Sequence, residues 1–421
     1  MIKKFVNSIL LLLVTAGLTS CLQDNEDYFS LPAAQRIEEV VAADKALLES
    51  ATNGWHLEYF LGDDYQYGGF NMLVRFVDGK AQLSSEIAPS EMVSTSCYDV
   101  NTDMGPVLTF NTYNEILHFL TQPRQNPVDG LQGDFEFVIM KATTDSIYLR
   151  GKKWGNDMLL TRLPETTSWK LFLDSIATVK ENMLYTYELN IDTNTVSIEL
   201  DDNNQFYSVL GEEEQVMPFI FTTKGIKLRQ PINIGNAKLQ FLDFNTEHMA
   251  LVSSENPSLM LESVLPDDWQ PFDAFEGNYI LAYEDGSSTA NVQLVADKPN
   301  KRYLMKGLSN RYDVVLNYIP GKGTLGWNSQ ELGVDASGIT VMMCAWETKE
   351  GYLTWSTDAG VYLVWNQDRV QPAYTFVDND YGFDTDSFIL WGMVGGQSNG
   401  SYTAWSPSRL RHIVSLTKIV N

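Results

Sequence analysis

Four aspartates stand within nine residues in the C-terminal part of the chain, at Asp378, Asp380, Asp384 and Asp386. Carboxylate oxygens at this density are the hard ligands that Ca²⁺ prefers in proteins. The run is not an EF-hand, because its glycine occupies the fifth position instead of the sixth and no glutamate closes it. We therefore expect an exposed turn, with calcium as the candidate cation and no other cofactor indicated.

Tryptophans are concentrated in the same part of the chain. Six of the ten lie between Trp327 and Trp405. Indole faces stack on sugar rings, while carboxylates and amides bond to the sugar hydroxyls. The alternative is that these side chains fill a β-core, since tryptophan is highly buried on average. Our candidates for contact with a glycan or peptide ligand are Trp355, Trp365 and Trp391.

Residues of catalytic type form no recognisable motif. No two of the four histidines are close in sequence, and neither the zinc-binding HExxH motif nor the phosphate-binding loop is present. The letters of the dinucleotide, GxSxG and SxxK motifs occur in GKGTLG at 321–326, GQSNG at 396–400 and SLTK at 415–418. All three lie in β-patterned sequence without the helix that these motifs require, so none predicts a nucleophile or a dinucleotide site. Asp134 and Glu136 in GDFEF are two apart, as paired glycosidase carboxylates could be. Their alternation with phenylalanines favours the solvated face of a strand. We assign no catalytic residue and expect binding rather than catalysis.

The first 20 residues have the pattern of a bacterial secretion signal. Two lysines precede an apolar run at 9–18, which is shorter than the roughly 20 residues that a membrane-spanning helix needs. Leu18-Thr19-Ser20-Cys21 then has the pattern of a lipobox, in which the cysteine becomes the lipidated first residue. We expect a signal peptide at 1–20, a lipid anchor on Cys21 that holds the protein to a membrane, and an acidic tether at 21–30.

The overall charge restricts the partners of the protein. The chain has 54 acidic and 29 basic residues, and its formal net charge is −25. Such a surface repels nucleic acid, which we exclude as a partner.

Two segments have the spacing of amphipathic helices in an otherwise β-patterned chain. The apolar residues of 31–51 lie on one helical face, and Asn53-Gly54 ends that helix. A second stripe runs from about Ser168 to Met183 and includes Trp169, Ile176 and Val179. Each stripe covers one side only, so each helix should lie on a sheet or close the end of a barrel.

The rest of the chain consists of short segments in which apolar and polar residues alternate, separated by turn residues. GWHLEYF, GFNMLVRF and DFEFVIMK are examples before the second helix, and YTYELNI and AKLQFLD follow it. This spacing predicts a mainly β fold of tandem antiparallel modules, sandwich-like or barrel-like. PVLTFNTYNEILHFL, with EILHFL taken as a strand, and PFIFTTKGIKLRQPI resemble each other, which suggests an internal duplication whose second part begins near residue 184.

A domain boundary is expected where the β pattern stops. Pro266-Asp267-Asp268-Trp269-Gln270-Pro271 separates an N-terminal β-rich region with both helices, residues 31–265, from a C-terminal all-β domain, residues 272–421.

Several of these segments together resemble a known family. RIEEVVAADKALLESATNGWHLEYF, GGFNMLVRF, GPVLTFNTYNEILHFL and GDFEFVIM, over about residues 28–265, are similar to Bacteroidota lipoproteins of domain of unknown function 4302. The family has no assigned activity, so the resemblance carries over no site residue. Asp24, Glu26 and Asp27 resemble the acidic export signal of surface lipoproteins in the same phylum. That signal implies an outer-membrane protein that faces the cell exterior.

The resemblance also implies a class of function. Similar lipoproteins accompany a TonB-dependent transporter and its substrate-binding lipoprotein, which implies a non-catalytic accessory protein that captures a glycan or peptide for uptake. A structural or adhesive surface protein is the alternative, and a hydrolase that uses carboxylates alone is the third hypothesis. Such an association indicates which class of function to test, but it gives no information about mechanism.

Overall fold

The computed structural model describes residues 31–103, 105–123, 129–191, 193–367 and 373–419. Cys21 and the acidic tether lie outside these residues. The described chain forms three closed antiparallel barrels of eight strands each, and a smaller sheet attached to the third barrel. The prediction of a mainly β protein built from tandem antiparallel modules is therefore confirmed, and the modules are barrels. None of the described helices is both long and apolar enough to cross a membrane.

The first barrel follows helix α1 (Ala33–Glu49), whose buried Leu48 packs in the core of the barrel. The indole N–H of Trp55, a fully buried residue, donates to the carbonyl of Leu48 in this helix at 2.9 Å. Pairing of the first and last strands closes the barrel, with Tyr59 opposite Met158. Its strands are β1 (Trp55–Phe60), β2 (Gly69–Val77), β3 (Lys80–Ser85), β4 (Ser94–Thr102), β5 (Pro106–Phe110), β6 (Glu136–Ala142), β7 (Ser146–Gly151) and β8 (Asp157–Arg162).

A short helix α2 (Glu115–Phe119) lies between β5 and β6, where the sequence predicted a strand in EILHFL. That prediction is wrong. The side-chain oxygen of Asn114 accepts hydrogen bonds from the N–H groups of Ile116 and Leu117, so it caps the first turn of a helix. The helical turn buries Ile116 and Leu117 on the same side, which an alternating strand would not do.

The carboxylate of Asp134 is also placed differently from the prediction. Asp134 is buried, while the neighbouring Phe135 is 43% exposed. A carboxylate oxygen of Asp134 accepts the backbone N–H of Lys153 at 2.7 Å, and burial raises the pKa of this carboxyl. Asp134 therefore holds the β7–β8 turn in place, and the expected solvated outer face at this position is wrong.

The second barrel repeats the arrangement of a helix followed by eight strands. Helix α3 (Trp169–Asn182) begins at Ser168, whose hydroxyl accepts the N–H of Leu171, and it buries Leu173, Ile176 and Val179. The strands are β9 (Thr186–Ile191), β10 (Asn194–Leu200), β11 (Gln205–Leu210), β12 (Glu213–Phe221), β13 (Gly225–Ile234), β14 (Ala237–Asn245), β15 (Ala250–Ser253) and β16 (Met260–Ser263). The two similar sequence segments do not occupy equivalent positions. The first covers β5 and α2, and the second covers the β12–β13 hairpin.

The first two barrels pack closely against each other. The ammonium of Lys227 lies 2.7 Å from a carboxylate oxygen of Glu58, and both side chains are largely buried. The side-chain amide of Asn204 donates to the carbonyl of Gly69 at 2.9 Å. Gly68 has φ +65°, and a Cβ there would lie 2.4 Å from the carbonyl oxygen of Asn203. Only glycine permits this approach of the two backbones.

The last part of the chain forms a third barrel and a smaller sheet. Its strands are β17 (Gly277–Tyr283), β18 (Ser288–Lys298), β19 (Arg302–Lys306), β20 (Val314–Ile319), β21 (Thr324–Asn328), β22 (Gln330–Val334), β23 (Thr340–Trp346), β24 (Leu353–Thr354), β25 (Gly360–Asn366), β26 (Ala373–Asp378), β27 (Ser387–Val394), β28 (Gln397–Ser401), β29 (Arg409–Leu410) and β30 (Ser415–Lys418). The barrel consists of β17–β21, β25, β26 and β30, and the other six strands form the sheet. The 3₁₀ turn Phe272–Phe275 precedes β17 and packs into the core of this module.

Candidate ligand-binding cleft

A cavity of about 500 Å³ lies between the second and third barrels. Strands β9 and β10 and the turn after β10 form one wall. The β20–β21 turn and strands β21 and β25 form the other, and the segment that links the two barrels closes one side. A cavity of this size suits a small ligand, such as a short oligosaccharide or peptide.

Contacts at the base of the cleft hold the two walls at a defined separation. The backbone N–H of Gly321 donates to the carbonyl of Glu181 at 3.0 Å, and a Cβ on Gly321 would lie 2.2 Å from the carbonyl oxygen of Met183. The indole N–H of Trp269 donates to the carbonyl of Pro320 at 3.0 Å. The link between the barrels is thus bonded to the β20–β21 turn, and the cleft is preformed.

Two tyrosine rings, one from each wall, provide apolar faces. Tyr185 is 43% exposed, and Tyr362 on the opposite wall is half-buried. Burial, followed by the nearby carboxylate of Asp202, raises the pKa of Tyr185 to about 12. Its hydroxyl is protonated at neutral pH, and the carboxylate of Asp202 is the acceptor beside it.

Carboxylates dominate the polar lining. Glu199, Asp202 and Asp268 are exposed at the cleft. The carboxylate of Asp201 is instead hydrogen-bonded within its own hairpin, where it accepts the N–H groups of Asn203 and Gln205 at 2.9 and 2.8 Å. One cation lines the cleft among the described residues. This is Lys322, whose ammonium lies 4.7 Å from the centre of the Tyr362 ring. The cleft is unfavourable for anions and offers acceptors to hydroxyl, amide or ammonium groups.

The three predicted ligand-binding tryptophans lie in different environments, and none lines the cleft. Trp355 is 45% exposed in the loop after β24. The ring of Trp365 lies 5.0 Å from that of Tyr374 and packs on the barrel core. Trp391 is half-buried on β27, and its indole N–H donates to the Ser398 hydroxyl at 2.8 Å. No ring contact joins any two of these described side chains.

Two of the four aspartates of the predicted calcium loop accept hydrogen bonds from neighbouring residues. The carboxylate of Asp378 accepts the N–H groups of Asp380 and Thr385 at 2.7 and 2.8 Å, and that of Asp386 accepts the Thr348 hydroxyl at 2.7 Å. Across the residues that the structure describes, no three His, Cys, Asp or Glu side chains are grouped as metal ligands. Calcium at Asp378, Asp380, Asp384 and Asp386 stays a prediction.

Sequence reasoning missed the residues that line the cleft. Tyr185, Tyr362 and Lys322 belong to different barrels and share no motif. The nearest signals were the Asp201-Asp202-Asn203-Asn204 turn and the break at Pro266–Pro271, both of which border the cavity. Neither signal indicates that the two regions face each other.

Comparison with known proteins gave two family matches. Residues 25–246 match the profile of a domain of unknown function (DUF4302), and residues 253–391 match that of a second domain of unknown function, DUF4987. No curated protein matched the chain. The first match ends just after β14, so the two strands that complete the second barrel lie beyond it.

Proposed function

The chain belongs to the DUF4302 family, and from that premise we propose that it is a lipid-anchored surface protein that captures a nutrient ligand without chemical conversion. The cleft between the second and third barrels is the proposed binding site. The capture would serve an outer-membrane uptake system, with a TonB-dependent transporter and its binding lipoprotein as partners.

The observation that carries this proposal is the composition of the preformed cleft. Tyr185 and Tyr362 offer ring faces, and Glu199, Asp202 and Asp268 offer carboxylate acceptors. Ring faces with hydroxyl-binding carboxylates suit a neutral glycan or a short peptide. A few such contacts give a dissociation constant in the micromolar to millimolar range, roughly 4–8 kcal/mol, which allows the captured ligand to be passed on.

The test is isothermal titration of the protein with a panel of neutral oligosaccharides and short peptides. We expect at least one ligand to bind. Tyr362→Ala should weaken its binding about tenfold, because the variant loses both the ring face and the cation–π contact that positions Lys322. Tyr148→Ala is the matched control. Tyr148 is 46% exposed on the first barrel, away from the cleft, and its loss should leave the affinity unchanged.

Two outcomes would contradict the proposal. If no ligand in the panel binds, or if Tyr362→Ala binds as well as the unaltered protein, the cleft is not a capture site. Conversion of the ligand during the titration would instead favour the hydrolase hypothesis, with the cleft carboxylates as the groups to test.

The structural or adhesive alternative has one observation in its favour. Large aromatic side chains are exposed on loops of the third module, outside the cleft. Exposed apolar patches are typical of surfaces that contact other proteins.

A further inference from the structure

Three aromatic side chains form a corner at one end of the C-terminal module. Tyr352 lies in the β23–β24 turn and is 60% exposed, while Tyr381, 42% exposed, and the partly buried Phe383 lie in the β26–β27 loop. The ring centres of Tyr352 and Phe383 are 6.3 Å apart at 30°, and those of Tyr381 and Phe383 are 6.5 Å apart at 89°. We name these three residues the aromatic corner.

Hydrogen bonds hold the loops that carry the aromatic corner. The carboxylate of Asp378 accepts two N–H groups of its own loop, as described above. The side-chain amide of Asn379 donates to the carbonyl of Asp358 at 2.7 Å, and the Thr348 hydroxyl donates to Asp386 at 2.7 Å. The β26–β27 loop is thereby tied to the loops on both sides, so the rings are presented in a preorganised arrangement.

The charge beside the aromatic corner is negative. Asp380 and Asp384 flank Tyr381 and Phe383 in the chain, and neither has an ion-pair partner among the residues that the structure describes. Lys349 in the neighbouring turn is paired with Glu350 at 3.6 Å. In the same module the guanidinium of Arg411 lies 5.2 Å from the centre of the Trp346 ring. The Arg411–Trp346 contact is thus one cation–π interaction within the same module.

The ring geometry favours a cation over a sugar as the ligand. A flat platform is needed to stack on a sugar ring, and rings at 89° do not provide one. Two faces at a right angle with carboxylates alongside are the arrangement that surrounds an ammonium or guanidinium group.

We propose that the aromatic corner, with Asp380 and Asp384, binds a lysine or arginine side chain of a protein partner. Because the aromatic corner is open and exposed, a single cationic group gains little binding free energy there. The ligand must therefore be part of a protein partner that makes further contacts. This proposal does not depend on ligand capture in the cleft.

The experiment uses the full chain and a fluorescent peptide of alternating arginine and glycine, followed by anisotropy. We expect Tyr352→Ala/Tyr381→Ala to weaken binding about tenfold, because both exposed ring faces are removed. Asp380→Asn/Asp384→Asn should give a loss of about the same size, since both carboxylates are neutralised. The backbone of Asp380 has φ +61°, which asparagine also tolerates.

Matched variants separate this site from general attraction to an acidic protein. Glu247→Gln/Glu255→Gln removes two exposed carboxylates of the second barrel and should change binding less than about twofold, as should Tyr148→Ala. Equal weakening by the Glu247/Glu255 pair and the Asp380/Asp384 pair would overturn the proposal. Displacement of the peptide by tetramethylammonium at an equal concentration would also overturn it, because the site would then bind a free organic cation.

Discussion

His412 joins three loops of the C-terminal module through both of its ring nitrogens. Nδ1 lies 2.9 Å from a carboxylate oxygen of Asp285, and Nε2 lies 2.9 Å from the hydroxyl of Thr348. That hydroxyl donates its only proton to Asp386. When the Thr348 proton goes to Asp386, Nε2 donates to Thr348 and both ring nitrogens carry protons. The arrangement resembles a nucleophile, base and acid in sequence, but in the protonated state the imidazolium cannot accept a proton from threonine, and the network then ties the three loops together.

This network predicts a pH-dependent contribution to stability. The hydrogen bond to Asp285, with Asp386 and Glu284 nearby, raises the pKa of His412 above its ordinary value of 6.5. A raised pKa in the folded state stabilises the protein fully below 6.5, and the stabilisation disappears as the pH rises through the folded value. Asp285→Asn should lower the melting temperature more at pH 6 than at pH 9. Because the pair is largely exposed, we expect a change below about 1 kcal/mol.

Asp297→Asn is the control for this measurement. It removes the ion pair with Arg302, in which no histidine takes part. Its effect on the melting temperature should therefore be the same at both values. An Asp285→Asn effect that is equally independent of pH would show that His412 is not charged in the folded protein.

At the scale of elements, the 3₁₀ turn Phe272–Phe275 closes one end of the third barrel. Phe275 is fully buried, and its ring stacks on that of Tyr374 with centres 5.0 Å apart. The hydroxyls of Tyr279 and Tyr303 donate to the carbonyls of Phe275 and Phe272, each at 2.8 Å. The turn is thus fixed to the barrel by side chains of the strands that it covers.

Removal of the Phe275 ring should destabilise the third barrel. Truncation of a fully buried phenylalanine leaves a cavity and costs about 3–5 kcal/mol. We expect Phe275→Ala to lower the free energy of unfolding of this module by that amount, measured by urea denaturation of the full chain with tryptophan fluorescence. Ile280→Ala, on the outer face of β17 and 38% exposed, should cost less than about 1 kcal/mol. Equal losses for the two variants would mean that the turn does not stabilise the barrel.

At the scale of the whole molecule, the proposed lipid on Cys21 should decide where the protein resides. Each buried CH₂ of an acyl chain contributes about 0.8 kcal/mol to membrane attachment. We expect the unaltered protein in the outer-membrane fraction and degraded when intact cells are treated with protease. Cys21→Ala should leave the membrane fraction, whereas Cys97→Ser, a change on the first barrel, should not. A Cys21→Ala protein that stays membrane-bound, or an unaltered protein that resists the protease, would refute surface anchoring.

Most elements of this protein follow from local sequence. Alternation of apolar and polar residues predicts its strands, because successive side chains of a strand point to opposite faces. The apolar stripe from Trp169 to Val179 predicts α3, and Ser168 marks its start. Local reasoning failed at α2 and Asp134. In both places one polar side chain accepts backbone N–H groups, and that bond outweighs the alternating pattern around it.

Tertiary structure alone decided the closure of the sheets and the cleft. Alternation shows which side chains face inward, but the pairing of first and last strands, such as Tyr59 with Met158, depends on contacts between residues distant in sequence. The same holds for Tyr185 and Tyr362, which face one cavity because the backbone of Gly321 lies against the end of α3. Contact between distant segments depends on the geometry of whole barrels. No short stretch of sequence contains that information.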